Sequence, residues 1–198
     1  MDHVNDSSTS VHEMLPIRLI SKVVRGFGRG SRDLGIPTAN LSREDLECSI
    51  HFDDLPCGIY WGFAKVEKGS TPSPENVPPS SSVYKAAISI GFNPTYHNTC
   101  KTIEPHLIAD SSDTMNRHAS SCGETLFPQN FYDQRIRLSV VGFLREERPF
   151  EGLEKLIIAI KNDIQNTECL CEKGEIAQAE KDWVGSDKPV KSDSFAVS

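Results

Sequence analysis

No run of apolar residues in this chain of 198 residues approaches the length that crosses a bilayer, and the N-terminal stretch MDHVNDSSTS has neither the basic start nor the apolar core of a signal peptide. A helical membrane span is excluded, and an intracellular, cytoplasmic protein is expected. The six cysteines, at 48, 57, 100, 122, 169 and 171, form no CxxC pair and no regular framework. Neither a zinc site nor a disulfide scaffold is indicated, and reduced thiols are expected. Positive charge is short as well: 21 Lys and Arg against 28 Asp and Glu leave a formal net charge of -7. A general nucleic-acid binder needs a basic face to displace counterions from phosphates, which this balance does not supply. The P-loop pattern GxxxxGK[ST] is missing, as are the VAIK, HRD and DFG elements of protein kinases.

What is present fits one sizeable core with tails. The hydrophobic fraction of 37% is low, but the deficit sits in stretches that look unpacked. Residues 1–14 and 184–198 read as tails around one domain, 15–183. Four segments alternate as strands: IRLISKVVRG from Ile17; GIYWGFAKVEK (58–68), where Ile59, Trp61 and Phe63 share a face; VYKAAISIGF (83–92), through Tyr84, Ala86, Ile88 and Ile90; and RIRLSVVGFL (135–144), through Ile136, Leu138 and Val140. Short strands separated by Gly, Pro and Ser clusters, with no helical period between them, point to an antiparallel barrel or sandwich. From Phe150, apolar residues at Leu153, Ile157, Ile160 and Ile164 form a helical stripe that predicts packing on the sheet. A further short helix is expected around GEIAQAEKDW. Two polar stretches, 69–82 and 109–129, read as long loops, the second long enough for a lid or an insertion.

The segment GFGRGSRDLGIPTAN (26–40) carries four glycines and two arginines in its first ten positions. Glycines let backbone N–H groups approach an anion closely, so Gly26, Gly28, Gly30 and Gly35 could form a phosphate nest, with Arg29 and Arg32 supplying charge. For the cluster alone, a hairpin loop whose glycines merely supply turns is the favoured reading. Arg18, Lys22, Arg25, Arg29 and Arg32 against Asp33 make the surroundings a basic island suited to a small polyanion. Pro37 pushes Ile36 toward extended backbone, so Thr38 and Asn40, two apart, share a face. Both are neutral hard-oxygen ligands of the kind a phosphate-carried magnesium ion takes from protein. A strand filler at 38 and a turn or cap at 40 are the plainer alternatives. In KTIEPHL, an extended chain puts Thr102, Glu104 and His106 on one face. From spacing alone, a solvated edge-strand glutamate and a satisfied core histidine fit better than catalysis.

Taken together, GFGRGSRDLGIPTANL, GIYWGFAKV, SIGFNPTYHNTCKTIEPHLI and FYDQRIRLSVVGFLREERPFEGLEKLIIAIKNDI resemble the riboflavin kinases (flavokinases) of the eukaryotic, monofunctional type, over about 16–164. The resemblance implies a mainly β fold: a six-stranded antiparallel Greek-key barrel with a C-terminal helix packed on it. It implies transfer of the γ-phosphoryl group of ATP to the terminal ribityl hydroxyl of riboflavin, giving FMN and ADP, with magnesium or another divalent ion. By the same resemblance Thr38 and Asn40 hold metal and phosphates; Gly26, Gly28, Arg29, Gly30, Ser31 and Arg32 form a flap over the nucleotide; Glu104 is the catalytic base; and Asn93 and Thr95 lie near the substrates. A monomer without nucleic-acid or membrane partners, and without a nucleotidyltransferase domain, is expected. Two departures stand out: the segment between His106 and Phe131 is longer than usual where the family has a flavin-covering flap, and Gln134 follows FYD where a glycine is common nearby. A barrel that binds FMN or nucleotide without turnover is the alternative function. A single-strand nucleic-acid barrel is disfavoured by charge and by the lack of a basic, aromatic-studded sheet face.

Overall fold

The computed structural model describes residues 11–26, 38–67, 82–94, 99–108, 118–120, 123–125 and 132–190, the two three-residue stretches as backbone only. The strands are β1 (Ile17–Val24), β2 (Asn40–Leu41), β3 (Glu47–Cys48), β4 (Gly58–Val66), β5 (Tyr84–Gly91), β6 (Thr102–Ile108), β7 (His118–Ser120), β8 (Gly123–Thr125) and β9 (Arg135–Arg145). The helices are α1 (Val11–Met14), α2 (Leu153–Leu170) and α3 (Glu175–Gly185), with a 3-10 turn at Phe52–Asp54.

Six strands run in the order β2-β1-β9-β4-β5-β6, every neighbouring pair antiparallel. β4, β5 and β6 follow one another, and β9 returns after a long connection to lie against β4, which is Greek-key order. The Ala39 N–H donates to the Pro105 carbonyl at 2.9 Å, which lays the chain entering β2 on β6 and nearly closes the barrel. The expected mainly β, six-stranded antiparallel barrel with C-terminal helical packing is what forms. Alternation explains it: Tyr84, Ala86, Ile88 and Ile90 on β5 and Ile136, Leu138 and Val140 on β9 all point into one buried cluster.

Several local expectations change. In β4 the barrel is filled by Tyr60, Ala64 and Val66, while Phe63 and Trp61 face outward onto α3 through Trp183, Val184 and Ala177. Both faces of this strand are covered, so alternation alone does not say which is inside. On α2 the buried positions are Ala159, Asp163, Ile164 and Thr167, and Leu153 is 52% exposed. Ile164 meets Ala87 and Ile108, and Asp163 receives a bidentate contact from Arg145 at 2.7 and 3.0 Å, so the helix is pinned from its middle onward. The stretch 109–129 contains β7 and β8, a hairpin that adds to the sheet beyond β6 through Ile108↔Thr125. Beside the expected tails, Val11 packs against the barrel core, and Val184 on α3 and Val190 after it are buried in the cluster between α3 and the outer face of the barrel. Within the 69–82 loop, residues 69–81 lie outside the described residues.

The basic island also divides. Arg18 faces outward and binds Glu180 of α3, and Lys22 pairs with Asp45. Arg25 lies over the Tyr132 ring, 5.5 Å from its centroid, at the mouth where β1 ends.

Candidate active site

The seam between β2 and β6 positions the one carboxylate expected to react. Pro105 lacks an N–H, so it suits a strand edge where only a carbonyl is needed. Its carbonyl takes the Ala39 N–H, and this brings Thr38 beside Glu104, 66 residues away in sequence. Thr38 Oγ1 donates to Glu104 Oε2 at 3.3 Å, and Thr102 Oγ1 donates to Glu104 Oε1 at 2.8 Å. Both oxygens of the carboxylate are therefore oriented. Burial pushes the Glu104 carboxyl above the ordinary glutamate range; the two hydroxyl donors oppose this, and the nearby negative charge of Glu147 adds to it. The result is a carboxylate held in place with raised proton affinity.

Asn40 pairs with Val24 across β1 and β2, one turn of strand from Thr38. Its side chain fills the space over Gly26: a Cβ built on Gly26 would stand 2.2 Å from Asn40 Nδ2 and 2.6 Å from Cγ. Only glycine at 26 leaves the Asn40 amide where it is. Gly28, Arg29, Gly30, Ser31 and Arg32 fall outside the described residues, as does Thr95. Asn93 is described, with a left-handed φ of 48°, at the turn that leaves β5. His106 is buried and opposite Ala87 in the β5–β6 register.

Two residues without a role in the sequence reading join the site. Glu147, just beyond β9, accepts the N–H groups of Phe92 at 3.0 Å and Asn93 at 3.1 Å. Lys101 Nζ donates to the carbonyls of Phe52, Asp53 and Leu55, tying the 3-10 turn to the start of β6. Both lie inside the motif segments but work through backbone atoms, which leave no side-chain pattern to read. Among the described residues there is no group of three or more His, Cys, Asp or Glu placed to hold a metal. The donors that suit a cation are the Thr38 hydroxyl, whose proton is given to Glu104 and whose lone pairs remain, and the Asn40 amide oxygen. Two neutral oxygens are enough for an ion that arrives with phosphates and keeps water. A cleft of about 510 Å³ beside Ile20, Lys65, Arg135 and Arg137 lies on the outer, α3 side and shares no residue with this seam.

A family model described as Riboflavin kinase (Flavokinase) matches residues 14–171. The chain belongs to the riboflavin kinase family. It is similar to the riboflavin kinase of Homo sapiens, 36% identical over 172 residues that cover 85% of this chain and 89% of that protein. It is similar to that of Aspergillus fumigatus, 36% identical over 161 residues covering 76% and 73%. Among solved structures it resembles riboflavin kinase from Trypanosoma brucei, with a TM-score of 0.53 and 24% identity over 83% of this chain and 82% of that one, a likeness of fold. No described helix is long and apolar enough to cross a membrane.

Proposed function

We propose that the chain catalyses ATP-dependent phosphorylation of riboflavin at its terminal ribityl hydroxyl, with Glu104 as general base. The observation that carries the site assignment is the carboxylate of Glu104 fixed between Thr38 and Thr102. An alcohol is a weak nucleophile. As its oxygen bonds to the γ-phosphorus and the bond from that phosphorus to the ADP oxygen breaks, the hydroxyl proton passes to Glu104. Raised proton affinity suits that role, because the carboxylate must be ionised at neutral pH and still accept a proton late in the step. Thr38 and Asn40 orient the nucleotide phosphates. Thr38 and Asn40 would hold a magnesium ion carried by the nucleotide, which would supply neutralisation of phosphate charge. The loose transition state of phosphoryl transfer leaves mainly positioning and charge stabilisation to the protein.

Chromatographic detection of FMN from riboflavin, ATP and magnesium, with a no-metal control, tests the reaction. Glu104→Gln is expected to keep both substrates bound while kcat falls about 10²- to 10⁴-fold, the usual contribution of a positioned base. An unchanged kcat removes Glu104 from the chemistry. No FMN despite measurable flavin or nucleotide binding would leave a binding barrel in place of a kinase.

A further inference from the structure

The geometry points to Glu147 as a positioning residue for Glu104, acting through the peptide that joins Gly91 to Phe92. This rests on the assignment of Glu104 as base. The N–H of that peptide, on Phe92, donates to Glu147 Oε2 at 3.0 Å, and the next N–H, on Asn93, donates to Oε1 at 3.1 Å. The carbonyl of the same peptide, on Gly91, lies 3.3 Å from Thr102 Oγ1, and Thr102 Oγ1 lies 2.8 Å from Glu104 Oε1. One peptide plane is thus gripped at its N–H end by Glu147 and presents its other end to the hydroxyl that orients the base. Register supports the path: Gly91 stands opposite Thr102 and Ser89 opposite Glu104 across β5 and β6.

The approach of Glu147 to this turn is tight. A Cβ on Gly91, whose φ is 154°, would stand 1.9 Å from Glu147 Oε2, so the carboxylate occupies the space that any side chain there would need. Asn93 adopts a left-handed φ of 48°, which asparagine reaches more readily than most residues, and its N–H is bound by Glu147. A carboxylate accepting two backbone N–H groups forms charge-assisted hydrogen bonds, stronger than neutral ones. The consequence for chemistry is rotational. The single proton of Thr102 has two acceptors in reach, Glu104 Oε1 and the Gly91 carbonyl, and without Glu147 the Gly91–Phe92 peptide is free to turn, its carbonyl can close on the hydroxyl and take that proton, and Glu104 loses one of the two contacts that aim it.

The experiment is a double-mutant cycle on FMN formation, normalised to folded protein by circular dichroism. Glu147→Ala is expected to lower kcat by about 10- to 100-fold, the size seen when a reacting group is misplaced by about 1 Å. The KM for MgATP is expected to stay within about twofold, because Thr38 and Asn40 are placed through β2. In a Glu104→Gln background the same Glu147→Ala change is expected to cost less than about twofold, since a residue that acts through Glu104 has nothing left to aim. Glu147→Gln keeps one carbonyl acceptor and carries the same cycle if Glu147→Ala does not fold; its expected loss is smaller. Equal losses in both backgrounds would show a general structural role and overturn the inference while leaving Glu104 as base. An unchanged kcat in both Glu147 variants would overturn it as well. If Glu104→Gln alone leaves kcat unchanged, the base assignment fails, and the positioning role fails with it.

Discussion

Glu180 is the test of what holds α3 on the barrel. It is buried and accepts three hydrogen bonds, from Arg18 Nε at 3.0 Å, Arg18 Nη2 at 2.9 Å and Ser139 Oγ at 2.7 Å. Arg18 belongs to β1 and Ser139 to β9, so one carboxylate clasps two strands from the helix. The Trp183 ring completes the layer, its centroid 5.1 Å from the Arg18 guanidinium carbon and 4.5 Å from that of Arg137. Breaking a buried ion pair by removing one partner costs about 3–5 kcal/mol, because the other charge is left unpaired. Here the Arg18 side chain is 23% exposed, so water recovers part of that loss. The Ser139 hydroxyl, fully buried, adds to the cost when it loses its acceptor, by about 1 kcal/mol if it finds a weaker one. Glu180→Ala is therefore expected to destabilise by roughly 3 kcal/mol. At about 2–4 °C per kcal/mol for a chain of this size, Tm falls by roughly 6–12 °C.

Calorimetry of the purified protein, with Glu180→Gln as the companion, reads this directly. The amide keeps one acceptor oxygen and is expected to lose about half as much. FMN formation per folded molecule at low temperature stays at the parental rate, since α3 shares no residue with the Glu104 seam. A Tm within about 1 °C of the parent for both variants would refute the reasoning, and would mean that Arg18 and Ser139 find other partners at no cost.

Three further outcomes are expected. Gly26→Ala drives a methyl into the Asn40 amide, so the KM for MgATP rises about tenfold, as for loss of one charge-assisted contact, with Tm little changed; an unaltered KM separates Asn40 from the nucleotide. Asp133 holds φ at 65° beside the position where a glycine is common in the family, so Asp133→Gly stabilises by up to about 1 kcal/mol in urea titration, and a lower midpoint refutes relief of backbone strain. Glu104 has a folded pKa above its unfolded value, so its contribution to apoprotein stability is full below the unfolded pKa and is lost as pH rises through the folded pKa. The Tm of Glu104→Gln relative to the parent accordingly rises between pH 4 and pH 7, and a pH-independent difference excludes burial as the dominant cause.

The strands were legible because their inward residues recur every second position, as on β5 and β9, whatever the rest of the chain does. The inside of β4 was not, since Tyr60 fills the barrel and Phe63 seats α3, and period two is blind to which face is which. The β7–β8 hairpin escaped for another reason: two three-residue strands in a polar stretch carry too few alternations to register. On α2 the stripe was real but incomplete, because its buried face includes Asp163, whose pairing with Arg145 replaces the hydrophobic signal. Among the described members of the basic island, Arg18 and Arg25 part company. β1 sends Arg18 outward to Glu180, so neighbours in sequence part across the sheet.

The site shows the same limit more sharply. Thr38, Asn40 and Glu104 could be named from motifs, but the relation that makes them useful is a contact between positions 66 residues apart, created by barrel closure. β2 is two residues long and meets a strand that carries a proline, so its backbone ladder toward β6 is short of donors, and the Ala39–Pro105 bond does what a longer ladder would do elsewhere. A seam of that kind leaves side chains to complete the junction. Thr38 does so by binding Glu104 from the β2 side, and Thr102, at the start of β6 opposite Gly91, binds the same carboxylate from the other. The carboxylate is therefore aimed by two hydroxyls on opposite flanks of a weakly laddered edge. Changes on either flank are expected to reach kcat before they reach Tm, because most of the buried barrel core lies on β1, β4, β5 and β9, and the seam adds only Ala39, Ile103 and Leu107 to it.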